Sequence, residues 1–147
     1  MSLNMTREER EVFLADVHIG VVSVSDGERG PLTAPVWYAY EPGGEILFVT
    51  GADSLKARAL GAHARASFLV QTEELPYKYV SVEGPVTVGV ADLEKHTRPI
   101  AHRYLGQEAG DGYLAATRTE DRAEEALILI RPERWLTVDY AKQFADA

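Results

Sequence analysis

The chain contains no cysteine, so disulfides, thiolate catalysis and cysteine-ligated metals are all excluded. It also has no apolar run approaching the roughly 20 residues that a membrane helix needs. Residues 1–11 are polar and hold no apolar signal core, so the expectation is a cytoplasmic protein with no membrane partner. Cations are scarce: 15 Lys and Arg stand against 23 Asp and Glu, a net charge of −8. Such a surface repels a phosphate backbone, and no nucleic-acid partner is expected. Low-complexity segments, linkers and internal repeats are absent. What remains is an ordinary globular mixture, 46% hydrophobic and 26% charged, which fits one domain over residues 1–147.

Thr6-Arg7-Glu8-Glu9 has the form of a capping box and opens a short helix over 6–15. Residues 18–25 (HIGVVSVS) read as a strand, and 26–31 as a hairpin loop. A second strand over 32–41 (LTAPVWYAYE) turns at Pro42-Gly43-Gly44 and returns over 45–50. Asp53 or Ser54 caps a helix over 54–63. Strands are then expected over 65–71 and 77–90, the second interrupted at Gly84-Pro85, where a bulge or bend is predicted. Residues 92–106 are helical by pattern, with Pro99 either kinking the helix or marking its first turn. A short helix over 111–118 and strands over 125–131 and 135–140 close the chain. Tight turns between consecutive strands favour an antiparallel sheet, and their close spacing favours a small closed or partly open barrel with helices at its ends.

Several strands are apolar on both faces. Ile46 and Phe48 alternate with Leu47 and Val49, and Ala126, Ile128 and Ile130 with Leu127 and Leu129. A barrel has one interior, so its outer face needs a cover. Either the few short helices suffice or a second copy of the chain supplies it, and we expect a homodimer.

The chemistry-bearing stretch is Thr50-Gly51-Ala52-Asp53-Ser54-Leu55-Lys56-Ala57-Arg58, a strand end, a turn and a helix N-terminus. Backbone N–H groups and the helix dipole favour an anion there. Thr50 and Ser54 add hydroxyls and Lys56 a full charge. Two readings fit this pattern: a phosphate socket, or an ordinary cap followed by a solvated lysine. Lys56 and Arg58 lie roughly 200° apart around a helix and need not serve the same anion. His96 and His102 cannot chelate one ion together, and no metal is expected. Asp92, Asp111 and Asp121 read as caps and solvated surface.

With these segments the chain resembles the pyridoxamine 5′-phosphate oxidase-like split β-barrel superfamily, nearest its flavin/deazaflavin oxidoreductases. The matching pieces are Ala34-Pro35-Val36-Trp37-Tyr38, Phe48-Val49-Thr50-Gly51 and Ser54-Leu55-Lys56-Ala57-Arg58. Ala66-Ser67-Phe68-Leu69-Val70, Pro76-Tyr77, Val82-Glu83-Gly84, Arg103-Tyr104-Leu105-Gly106 and Trp135 continue them in order. The resemblance implies a mainly β fold, an antiparallel Greek-key split barrel with a few flanking helices, homodimeric, with its cofactor at the interface. It implies that FMN or the deazaflavin F-420 lies along the strand of Pro35, Val36 and Trp37. The phosphate would be held by Thr50, Ser54 and Lys56, with Arg58 as a further candidate. Trp135, and with it Tyr140 and Lys142, would reach the pocket of the other subunit. Arg58, Lys78 and Arg65 are candidates for meeting an acidic cofactor tail. Tyr38, Tyr77 and Tyr79 are candidates for proton donors or ring-stacking walls, or for plain core aromatics.

The implied activity is oxidoreduction, hydride passing to a small conjugated substrate. The alternative is a non-catalytic flavin- or haem-binding carrier of the same fold. Leu55-Lys56 stands where true pyridoxamine 5′-phosphate oxidases carry Arg-Lys, and residues 140–142 lie near the end of the chain, so vitamin B6 oxidation is not expected.

Overall fold

The computed structural model describes residues 2–63, 65–118 and 124–144. Asp121, read above as a cap or surface group, lies outside them. The element order is α1 (Arg7–Ala15), β1 (Gly20–Asp26), β2 (Arg29–Val36), β3 (Ile46–Gly51), α2 (Leu55–Ala62), β4 (Arg65–Gln71) and β5 (Lys78–Val90). A π-helical turn (Leu93–Thr97) leads into α3 (Arg98–Leu105) and α4 (Gln107–Thr117), followed by β6 (Glu125–Ile130), β7 (Arg134–Asp139) and a 3-10 turn (Tyr140–Phe144).

The strands pair antiparallel in the order β2-β1-β4-β5-β6-β3, with β7 also on β5. Ala39, beyond the end of β2, bridges to Leu47 of β3 through two backbone hydrogen bonds of 2.8 and 2.9 Å. That bridge brings the two ends of the sheet together, and the architecture is a split β-barrel. The interior is apolar: Val22, Tyr38, Ile46, Phe48, Phe68, Val80, Ile128 and Ile130 are all almost fully buried. Strand alternation puts all of them but Tyr38, which lies beyond the end of β2, on one face.

The second strand is shorter than the sequence implies, ending at Val36 rather than Glu41. Its continuation leaves β1 because other partners take its backbone. The Tyr38 N–H donates to the Tyr104 hydroxyl at 3.0 Å, and Ala39 pairs with β3. Tyr38 itself is sealed in the core, donating its hydroxyl to the Leu14 carbonyl at 2.6 Å. Burial raises its pKa well above that of a free phenol. It is a structural post joining α1 to the barrel.

β5 is not interrupted at Gly84-Pro85 as the sequence suggested; it runs unbroken from Lys78 to Val90 and keeps its register with β4 through both residues, and the glycine answers a steric need instead. Residues 78–83 of β5 pair with β7, and 86–90 with β6, so one run of chain follows β5 with a break at residues 131–133. At that break the Arg131 carbonyl presses on Gly84. A Cβ there would sit 1.7 Å from the carbonyl oxygen. Only glycine permits this approach.

The helix starts follow the sequence. Thr6 and Glu9 form both halves of the capping box, and the Ser54 hydroxyl accepts from the Ala57 N–H at 3.0 Å. Pro99 stands in the first turn of α3, after the π-helical turn capped by Asp92. α4 is longer than expected, beginning at Gln107 rather than Asp111. No described helix is long and apolar enough to cross a membrane.

Candidate functional site

The end of β3 and the start of α2 form one side of a cleft of about 240 Å³. Val49, Thr50, Gly51 and Lys56 come from that corner, and Pro35, Val36 and Trp37 from β2 and the segment after it. The opposite wall is helical: Thr97, Ile100 and Ala101 on one side, Tyr113, Leu114 and Thr117 on the other, with Glu125 at the head of β6. Glu125 is the register partner of Gly51 across β3 and β6, so the sheet itself sets the carboxylate beside the β3–α2 corner.

Trp37 is fixed by aromatic contacts. Its ring stacks on Tyr104 with centroids 5.0 Å apart and planes 6° from parallel, and Tyr113 meets it at 5.6 Å and 52°. Tyr104 is held in turn by its hydroxyl, which donates to the His18 carbonyl at 2.6 Å. Arg103, its neighbour on α3, donates to the Ala15 and Asp16 carbonyls.

The helical wall is cross-tied. Asp111 of α4 accepts from Arg98 and bonds His102 of α3, each at 2.6 Å. Its carboxyl is held below the usual range by the His102 contact first and by Arg98 second. This corrects the expectation of a cap or a merely solvated group, since the carboxylate joins two helices. Gly110 serves the same junction, because a Cβ there would lie 2.8 Å from the His102 ring and 3.1 Å from the Ala101 backbone. At the far end Arg118 ion-pairs with Glu125, and the Thr97 hydroxyl reaches the same carboxylate at 3.4 Å.

Five sequence-predicted site residues therefore meet in one cleft: Pro35, Val36, Trp37, Thr50 and Lys56. Ser54 stands behind them, its hydroxyl 3.2 Å from that of Thr50 while it caps α2. Arg58 is exposed on α2 and Trp135 is half-buried on β7 beneath the Arg10 guanidinium, 4.4 Å from it; neither lines the cleft within this chain. Lys142 is tied to Glu9 at 2.7 Å and to the Asn4 carbonyl. Arg65 pairs with Glu133 at 2.7 Å, and Lys78 lies 5.8 Å over the Phe13 ring. Tyr77 lines a separate apolar groove with Leu75, Tyr140 and Phe144. The two helices were expected from the sequence, but not that their Ile100, Ala101, Tyr113 and Leu114 wall the cleft.

Residues 6–139 match the pyridoxamine 5′-phosphate oxidase family. The chain belongs to that family. Solved structures of the same split-barrel fold agree with this membership. A conserved hypothetical protein of Mycobacterium tuberculosis superposes with a TM-score of 0.78 at 22% identity, covering 98% of this chain and 91% of that one. A FAD-binding protein of Mesorhizobium loti gives 0.64 at 18% identity, covering 91% and 94%. An F420 reductase gives 0.60 at 21% identity, covering 86% and 94%. No curated protein matches the chain in sequence. At these identities the likeness shows the fold. Among the described residues, the cleft between the β3–α2 corner and the α3–α4 wall gathers a lysine, a carboxylate, hydroxyls and aromatic rings.

Proposed function

We propose that the protein is a flavin- or deazaflavin-dependent oxidoreductase that holds its cofactor, FMN or F-420, in this cleft. The observation that carries the reading is the convergence of Trp37, Thr50 and Lys56 from separate elements on one cavity. The residues fit such a group. Lys56 and the Thr50 hydroxyl suit a phosphate at the start of α2, and the apolar edge of Pro35, Val36 and Trp37 suits a planar ring. Ser54 orients the Thr50 hydroxyl. Trp37, braced by Tyr104 and Tyr113, limits water at the ring. The cofactor, when bound, supplies the hydride chemistry, and the chain binds, orients and excludes water.

A second copy of the chain completes the site in this proposal. The cleft is smaller than the about 300–1,000 Å³ usual for a ligand pocket. Large apolar side chains also stand exposed on strands, among them Val90 at 64% and Leu136 at 60%.

Parallel titration of the protein with FMN and F-420, followed by absorbance and ring fluorescence, tests the reading. Saturable binding of one of them, weakened by about 1.5–3 kcal/mol in Lys56→Ala, is expected for a charge-assisted phosphate bond. Absence of binding by both would refute it. Reduction of the bound cofactor and its reoxidation by an acceptor separates an enzyme from a carrier of flavin or haem.

A further inference from the structure

The β1–β2 ladder stops one rung short of where its register would carry it. Gly20 pairs with Val36, so the next residues to face each other would be Ile19 with Trp37 and His18 with Tyr38. Pro31 and Pro35 carry no N–H, so the odd-numbered positions of β2 turn their backbone groups away from β1 and the even-numbered ones bond to it. His18 and Tyr38 are therefore the next pair that should exchange two backbone hydrogen bonds. They do not. The Tyr104 hydroxyl fills the gap, accepting from the Tyr38 N–H at 3.0 Å and donating to the His18 carbonyl at 2.6 Å. It also lies 3.2 Å from the Tyr38 carbonyl, which a closed rung would offer to the His18 N–H. Among the described residues no backbone group accepts that N–H. A hydroxyl suits this place because it accepts and donates at once.

Beyond the gap the chain departs from β1. Ala39 bridges to Leu47 of β3, and Trp37 is held between the two pairings, its ring stacked on that of the same Tyr104 and lining the cleft. Tyr104 belongs to α3, whose Ile100 and Ala101 form the facing wall. It does not line the cleft itself, so it acts there through Trp37. One side chain thus ties the helical wall to the end of β2.

We propose that Tyr104 is a positioning residue, a wedge whose hydroxyl keeps the His18–Tyr38 rung open so that β2 turns away at Trp37 and presents the indole to the cleft. Without the hydroxyl the two backbones close on each other and β2 extends through Tyr38. Trp37 then becomes an ordinary strand residue opposite Ile19, drawn back from the cleft. The wedge is a matter of backbone geometry and needs no ligand. Its use in holding a planar group rests on the cofactor reading above.

Amide hydrogen exchange, read by NMR on the full-length protein and on Tyr104→Phe, tests the wedge. In the unaltered protein the Tyr38 amide should be protected while the His18 amide exchanges freely. Equal protection of the two would mean a closed rung and would overturn the proposal; this arm needs no variant and decides even if Tyr104→Phe fails to fold. In Tyr104→Phe the His18 amide should gain protection by about tenfold, the worth of one backbone hydrogen bond. The indole N–H resonance of Trp37, resolved from that of Trp135, should shift and exchange faster. A hydroxyl that merely satisfies loose ends gives the opposite sign: its loss exposes the Tyr38 amide and leaves the His18 amide unprotected. That pattern, or an unmoved Trp37 resonance, would overturn the wedge. Titration with FMN and F-420 then reads its use. Whichever binds should bind Tyr104→Phe about three- to tenfold more weakly, the size of one aromatic contact. Unchanged affinity beside a closed rung would overturn the positioning role. If neither binds the unaltered protein, the cofactor reading fails, while the exchange pattern still decides the wedge.

Discussion

Replacing Gly84 by alanine should separate the two halves of the barrel at their tightest crossing. The added Cβ would start 1.7 Å from the Arg131 oxygen and 2.8 Å from its carbonyl carbon, both backbone atoms that no rotamer change can move. The strands must part by roughly 1.3 Å before that contact reaches 3.0 Å. Two hydrogen bonds flank the crossing, from the Arg131 N–H to the Pro85 carbonyl at 3.1 Å and from the Glu133 N–H to the Glu83 carbonyl at 2.9 Å. Stretching both beyond hydrogen-bond range costs about 1 kcal/mol each, and residual overpacking adds about 1–3 kcal/mol. The total, about 3–5 kcal/mol, is a large share of the about 5–15 kcal/mol that holds a typical domain together. Urea unfolding, followed by far-ultraviolet dichroism and tryptophan fluorescence, reads this directly. With a slope near ~2 kcal/mol per M, the midpoint should fall by about 2 M. A loss below about 1 kcal/mol would mean that the crossing relaxes freely, and the account of Gly84 as a steric requirement would be wrong.

Lys56→Ala is expected to weaken cofactor binding by about 1.5–3 kcal/mol while leaving the unfolding midpoint nearly unchanged, because the lysine is not part of the buried core; a matching loss of stability would point to a structural role instead. Tyr104→Phe keeps the ring stacked on Trp37 but removes the hydroxyl shared by the His18 carbonyl and the Tyr38 N–H. It should cost about 1–3 kcal/mol in urea and lower cofactor affinity; unaltered stability would show that water replaces the hydroxyl. Glu9 has its pKa lowered from 4.5 to about 2 by its hydrogen bond to Lys142 first and by the Thr6 backbone second. A depressed carboxylate pKa stabilises the fold above 4.5, and this contribution is lost as pH falls from 4.5 toward 2. Glu9→Gln should therefore flatten the decline of the melting temperature across that window, and parallel acid limbs in the two proteins would count against the assignment.

The barrel was legible because strand burial is periodic. Val22 and Val24, Ile46 and Phe48, Ile128 and Ile130 occupy alternate positions, and the structure buries each pair. The β3–α2 corner was legible because Thr50, Ser54 and Lys56 carry their chemistry close together in sequence. The α3–α4 wall was legible only as two helices, over 92–106 and 111–118, and not in the early start of α4 or in its place against the cleft. The first turn of α4 owes its place to tertiary contact, with Gly110 seated against Ala101 and His102. Asp111 was misread for a related reason. Its partners Arg98 and His102 lie 13 and 9 residues away, so nothing local announces the pairing. Glu125 likewise owes its place to a long-range contact, the β-register that sets it beside Gly51.

The cleft therefore has two sides of different origin. Pro35, Val36, Thr50 and Gly51 sit on strands whose backbone bonds are shared with neighbours, so their positions are set by the whole sheet. Thr97, Ile100, Tyr113 and Leu114 sit on a helical layer joined to the rest by a few polar ties, chiefly Tyr104 to His18, Arg103 to Ala15 and Asp16, and Arg118 to Glu125. Cutting one tie can shift the helical layer without unfolding the barrel. Under the cofactor proposal, the strand side would fix where a planar group lies, and the helical side would shape the space left for it. Substitutions on the strand side should lower affinity for every ligand alike, whereas those at Tyr113 and Leu114 should change the ranking among ligands.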